Sequence, residues 1–456
     1  MLIALRQGRK VSMIIRRDIL LLPYAIAIAL YLIGPVTFSS IYAESILWFF
    51  ALFAMLSISA FFGKKSVNHD PSSAASGDDV VIGYFKFMAA PILAGAAYYV
   101  NWLYDQGTSI DMVTMNTGQV REITSGSDLS KQIAAILAYQ AYGYIPILLT
   151  HWRHRFPLYI NAMMVVAVAL MALAVVLQAG RTFFLVGVAL AAAVYMVSPK
   201  DAKGAYVRRK KWYSNILLYI GLCVVTIVGA ITIFVIGVQR VSSDEIAIVL
   251  VNAEYRYFGD WFTTNSPTVA YFSTVVFHYL VGPWSNLNIA IAAETDFFRW
   301  SYGPFEAILA RFSDGYDASY SGITLDSYRR YLMLGGQPTG WRTGFGNVLQ
   351  WYGFAGLVIY PLFIGFFTGR LICCAKKSES LIAFLRAVWV VAFFLMCLFY
   401  FPSDAIFWVN LTLVFAIFPI LVAVLPPRRR RLHKARKQYV GGHIGRAHAS
   451  TRSSRL

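Results

Sequence analysis

Arginines set among tyrosines are the residues of this chain best suited to do chemistry. Arg329 and Arg330 lie in DSYRRYLMLGG and Arg256 in EYRYFGD, while Arg121 and Arg342 stand in polar, glycine-containing stretches. A guanidinium offers phosphate a planar fork and stays charged when partly desolvated, and aromatic faces stack on sugar rings. The mixture suits a ligand that carries both sugars and a phosphate or pyrophosphate. Two blander explanations stand beside it: tyrosine is the ordinary residue of a membrane interface, and any one arginine can simply pair with an acid. Arg181, in QAGRTFFLVG, differs because it lies between two long apolar segments with no acid nearby. A charge at that depth needs a partner or a ligand, unless it snorkels to the interface.

A hydroxyl that attacks such a ligand needs a base. His278 is the only histidine of seven outside the segments assigned to the basic side, and Glu254 and Asp296, with Asp260, Glu294 and Asp326, are the neighbouring carboxylates. Imidazole titrates near neutrality, although a histidine in an apolar run is more often packed or capped. The same loops hold no DxD, no HExxH and no paired cysteines, so neither a zinc site nor a metal-held nucleotide-sugar site is expected. The expected reaction uses no metal and no cofactor.

The elements that must position these residues follow from composition. Hydrophobic residues make up 58% of the 456 and charged ones 14%, with a mean hydropathy of +0.59. Soluble domains run nearer a quarter charged, so a membrane protein is expected and a water-soluble enzyme is excluded. The net charge of +18 then reads as loop charge obeying the positive-inside rule rather than as a nucleic-acid surface. Cys223, Cys373, Cys374 and Cys397 lie in or beside apolar segments and serve as small hydrophobes, not as a disulfide framework.

A span needs about 20 mostly apolar residues, and ten segments qualify: 19–37, 45–62, 85–103, 133–150, 158–178, 182–197, 212–237, 345–371, 381–400 and 405–425. The predicted fold is therefore all-α, a polytopic membrane helix bundle of about ten transmembrane helices with a large, partly helical periplasmic loop. The expected organisation is a cytoplasmic arm (1–18), seven spans (19–237), the large loop (238–344), three spans (345–425) and a basic cytoplasmic tail (426–456). The first span lacks a small-x-small cleavage site and is expected to stay as an anchor. With ten spans, both termini and the loops around Lys64, Arg153, Lys210 and Lys376 share one side, which holds thirty of the forty basic residues. Of the ten on the other side, nine are arginine.

The large loop is too aromatic for disorder and is expected to fold against the membrane. Two apolar runs within it, 246–253 and 269–281, are short for spans, and the second should stop at Gly282-Pro283. Interfacial or re-entrant helices are the expected form. Arg299, if it is only a surface ion-pair member, is expected to be replaceable by alanine without loss of activity.

Three pieces of the chain resemble a known family: QAGRTFFL, HYLVGPWSNLN and GWRTGFGNVLQWYGFAGLVIYPLFIGFF. They are similar to motifs of the Wzy-type oligosaccharide repeat-unit polymerases, the O-antigen and exopolysaccharide polymerases of bacterial inner membranes, and the likeness runs from about Arg121 to Arg370. The resemblance implies a GT-C-like, polyprenyl-dependent glycosyltransferase. It would transfer a growing glycan from undecaprenyl pyrophosphate to a hydroxyl of an incoming lipid-linked repeat unit on the periplasmic face. Arg181 matches the family's arginine at a helix junction, which implies a role on the donor pyrophosphate. Arg256, Arg329 and Arg330 match its looser pattern of outer-loop arginines. Undecaprenyl-pyrophosphate-linked oligosaccharides and membrane lipids are the implied partners, with a chain-length regulator and a flippase of the same pathway, and no nucleic acid. A ligase using the same donor, a glycolipid flippase or transporter, and a structural scaffold are the competing readings.

Overall fold

The computed structural model describes residues 20–34, 36–37, 41–67, 77–106, 129–177, 182–198, 254–255, 267–299, 301, 303, 325–335, 343–378, 380–399, 402 and 405–424. In chain order these form α1 (Leu22–Ile33), β1 (Val36–Thr37), α2 (Ala43–Lys65), α3 (Asp78–Asp105), α4 (Leu129–Leu148), a 3-10 turn (His151–Arg155), α5 (Leu158–Leu177) and α6 (Thr182–Val197). They continue with β2 (Glu254–Tyr255), α7 (Pro267–Ala293), α8 (Leu325–Met333), α9 (Gly344–Tyr352), α10 (Phe354–Ser378), α11 (Leu381–Met396) and α12 (Ala405–Val424). The two strands make one short antiparallel pair, Val36 opposite Tyr255 and Thr37 opposite Glu254.

The chain is thus a helical bundle, and α2, α3, α10 and α12 are each long and apolar enough to cross a membrane. Large side chains such as Phe50, Phe62, Phe87, Leu158, Ile359 and Phe363 are exposed, as suits helices whose outer faces meet hydrocarbon rather than water.

Helices occupy nine of the ten segments expected from hydropathy, and 212–237 lies outside the described residues. Three expectations change in detail. The first segment yields only the twelve residues of α1, about 18 Å at the α-helical rise, against a hydrocarbon core of about 30 Å. The eighth is broken at Gly353, whose φ of +67 closes α9 before α10 starts. The run beginning at Val269 does not stop at Gly282-Pro283: α7 continues to Ala293 as 27 residues. A proline ring removes one backbone donor and kinks a helix, but the half of α7 beyond it is buried from Val281 to Ile289, so packing holds it helical. The run at 246–253 lies outside the described residues.

Among the described residues the closest packing joins α2 and α10, which run parallel. A Cβ placed on Gly63 would lie 2.0 Å from the Phe366 carbonyl oxygen, one on Gly365 2.1 Å from Ser59 Oγ, and one on Gly369 2.2 Å from the Ala60 carbonyl oxygen. Only glycine admits that approach, the small-xxx-small solution to helix association in lipid. At their start the pair stack Trp48 on Phe354, with ring centres 5.1 Å apart.

One buried carboxylate gathers the opposite end. Asp78, first residue of α3, accepts from the Leu381 amide at 2.8 Å and Ser380 Oγ at 3.1 Å, and pairs with Arg155 at 3.2 Å. It thereby caps the first turn of α11 with a negative charge. Nearby, Lys377 Nζ donates to the Val67 carbonyl. The loops around Lys64, Arg153 and Lys376 therefore meet at one end of the bundle, the grouping that the charge pattern predicts.

Gly83, by contrast, has nothing within 4 Å of a built Cβ. Gly83→Ala should leave the melting temperature in detergent unchanged or raised, through a helix-propensity gain of up to about 1 kcal/mol. Gly369→Ala should lower it, by overpacking worth about 1–3 kcal/mol. Equal effects would show that the α2–α10 approach is not tight.

Candidate functional site

The end of the bundle opposite Asp78 is built on polar residues of α7. Ser285, Asn286 and Asn288 are buried beside Trp284. Asn288 holds the start of α2, with its Oδ1 accepting from the Tyr42 amide at 3.1 Å and its carbonyl from Ser45 Oγ at 3.1 Å. Asn286 Oδ1 accepts from Tyr331 Oη at 3.1 Å and so holds α8. The polar spacer of HYLVGPWSNLN is thus an interhelical fastening, made where no water competes.

Beyond Ala293 the chain turns back over α9 and α10 through Arg299. Its guanidinium contacts Glu294 Oε1, Asp296 Oδ2 at 3.0 Å and the Gln350 carbonyl at 3.1 Å. The arginine and Glu294 side chains are only 9% and 5% exposed, and that of Asp296 33%. Glu294 Oε1 also accepts from the amides of Thr295 and Asp296 and from Ser327 Oγ on α8. One buried cation therefore ties the turn, α8 and α9 together. Arg299 is therefore a buried ion-pair member and not a surface one, because the turn folds inward onto the α9–α10 junction.

That junction depends on Gly353. A Cβ there would lie 2.6 Å from the Asp296 carbonyl oxygen, and the residue is left-handed besides, so glycine is required. The carbonyls of Asp296 and Phe297 then accept from the Phe354 amide at 3.2 Å and the Ala355 amide at 2.8 Å, satisfying donors that a helix start leaves open. Thr343 caps α9 by accepting from the Gly346 amide at 3.1 Å, and the Gly344 amide donates to the Cys397 carbonyl at 2.8 Å. The TGFG within the glycine-rich motif is a buried helix start, and Thr343 ahead of it is a recognisable cap signal.

Of the residues singled out by sequence, the structure brings Arg329, Arg330, Asp296, Glu294 and Arg299 to this end. Arg329 and Arg330 are exposed on α8, while Ser327 and Tyr331 of the same helix face inward. Neither arginine has an ion-pair or hydrogen-bond partner among the described residues. Asp296 lies in the Arg299 cluster. Glu254 is placed by its backbone in β2 and His278 by its backbone in α7. Arg121, Arg181, Arg256 and Arg342, with Asp260, lie outside the described residues. Asn286 and Tyr331, which position α8, and Asn288, which holds the start of α2, were not singled out individually by sequence: their polar positions look like any interfacial mixture until the helices pack. Among the described residues no group of three His, Cys, Asp or Glu side chains is arranged to hold a metal ion.

Arg299→Ala would leave two carboxylates beside each other without their cation, one of them buried, and should cost about 3–5 kcal/mol, the scale for removing one partner of a buried pair. Thermal melts of Arg299→Ala, Glu294→Gln and the double variant check this. The double variant should be more stable than Arg299→Ala alone, and an Arg299→Ala melt equal to wild type would return Arg299 to the surface. No protein-family model, curated protein or solved structure matches the chain, so the functional reading rests on this chain's own residues.

Proposed function

We propose that the chain polymerises undecaprenyl-pyrophosphate-linked oligosaccharide repeat units at the periplasmic face of a bacterial inner membrane. The observation that carries this reading is the Arg329–Arg330 pair: two exposed guanidinium groups without an ion-pair or hydrogen-bond partner among the described residues, on a helix fastened to the bundle end opposite the lysine- and arginine-rich loops. Exposed charges on a helix bonded to the bundle at that end suit an anionic ligand in the outer leaflet, and a diphosphate takes two forks. The ten-span topology, the GT-C-like class and the inner-membrane location belong to the same proposal.

The reaction breaks the bond between the glycan's anomeric carbon and the pyrophosphate oxygen and makes one to an acceptor hydroxyl. Negative charge concentrates on the departing pyrophosphate, where Arg329 and Arg330, with Arg181, Arg256, Arg121 and Arg342, stabilise it most in the transition state. The hydroxyl's proton passes to a base, a step contributing about 10²- to 10⁴-fold. Asp296, one-third exposed and oriented by Arg299, is the base we assign, ahead of His278 and Glu254. Two lipid-anchored substrates held in one cleft supply proximity.

Lipid-linked glycans test the reading in cells that lack the protein and are complemented with wild type, Arg329→Ala/Arg330→Ala or Arg181→Ala. Single undecaprenyl-linked units should accumulate on the outer side with either variant, while the double variant melts like wild type because both side chains are exposed. Units trapped on the inner side would mean a flippase, long unattached polymer a ligase, and an unchanged profile would end the glycan reading.

A further inference from the structure

Arg386 serves neither end cluster. It lies five residues past Leu381 in α11, about 7.5 Å along the helix from the end that Asp78 caps, at a depth where a charge marks a ligand or a partner. Its Nε donates to the Val414 carbonyl at 2.9 Å, and its guanidinium carbon lies 5.6 Å from the centre of the Phe415 ring. Those are its contacts among the described residues, and none of its neighbours there is a carboxylate within ion-pair distance. Val414 and Phe415 belong to a π-helical turn, Leu413–Ile417, inside α12. Such a turn disturbs the regular hydrogen-bond ladder, is costly to keep, and frequently marks a functional site. Here it turns a carbonyl towards α11 and anchors the arginine by one nitrogen.

Among the described residues neither terminal nitrogen has a hydrogen-bond or ion-pair partner. The guanidinium is only half-buried, and Phe415 beneath it is 41% exposed on the outer surface of the bundle, so the open side of the fork faces whatever coats the helices. On a bundle of this hydropathy the coat is lipid, and at the bundle end where Lys376 and Lys377 are exposed the acceptor within reach is a headgroup phosphate. We propose that Arg386, held by the π turn of α12 and floored by Phe415, binds the phosphate of an anionic glycerophospholipid in the leaflet at the Asp78 end. Charge complementarity selects the headgroup, the planar fork suits two phosphate oxygens, and the exposed ring lies where the glycerol and upper acyl chains pass. This site does not depend on the glycan reading.

Native mass spectrometry of the full chain in maltoside micelles tests it, with dioleoylphosphatidylglycerol, dioleoylglycerol and inorganic phosphate as probes. Wild type should retain dioleoylphosphatidylglycerol at one site that Arg386→Gln binds about tenfold more weakly, the loss expected for a charge-assisted bidentate contact. The Gln variant can still donate to the Val414 carbonyl, so the π turn keeps its partner, and Arg386→Lys should fall between. Equal retention by wild type and Arg386→Gln would overturn the site. So would wild type binding dioleoylglycerol as well as the phospholipid, which would reduce it to acyl packing and needs no variant to show. Displacement of the lipid by inorganic phosphate would make it a small-anion site and overturn the lipid assignment.

Discussion

The close approach of α2 and α10 governs the geometry of the rest. Apolar side chains gain nothing by leaving lipid for each other, so helices in a bilayer adhere where their backbones can nearly touch. Gly63, Gly365 and Gly369 permit that contact. Once α10 is fixed against α2, its first turn fixes Gly353 and α9, and the carbonyls of Asp296 and Phe297 that cap α10 fix the turn after α7. The start of α2, fastened to Asn288, closes the loop of constraints. The candidate site is therefore mounted on a close backbone contact of the bundle, as suits a site that positions charge.

Charge is handled in two ways along the molecule, and the surroundings decide which. Asp78, buried, is consumed by capping α11 and pairing with Arg155. Arg299, also buried, is consumed by two carboxylates and a carbonyl. A buried charge costs several kcal/mol unless it is paired and hydrogen-bonded, so neither group is available to a ligand. Arg329 and Arg330 stand at the other extreme, with the neutral part of α8 turned inward through Ser327 and Tyr331. The same division separates the arginines that build the site from those that would use it.

Hydropathy and charge spacing located most of the helices and the end at which the basic loops gather, because burial in lipid demands long apolar runs and topology demands a charge bias, and both are properties of the chain read in order. The arginine pair of α8 was equally visible, as adjacent cations among tyrosines. The role of Arg299 was not. Its partners Glu294 and Asp296 are close in sequence, but its burial comes from α9 and α10, some fifty residues on, which no local pattern reports.

The same distinction explains the other differences. Gly282-Pro283 is a stop signal by local conformational preference, yet α7 passes through it because buried contacts with α1, α2 and α9 outweigh one missing hydrogen bond. Gly353 looks like one more glycine of an aromatic entry to a span, and its left-handed break follows from the carbonyls of Asp296 and Phe297 arriving over it. Helix identity and the gathering of basic loops at one end are local or summed properties, so sequence alone determined them. Which charges are spent internally depends on residues from about fifty to about three hundred positions apart coming together, Gln350 over Arg299 and Ser380 and Leu381 onto Asp78, and packing alone decided that.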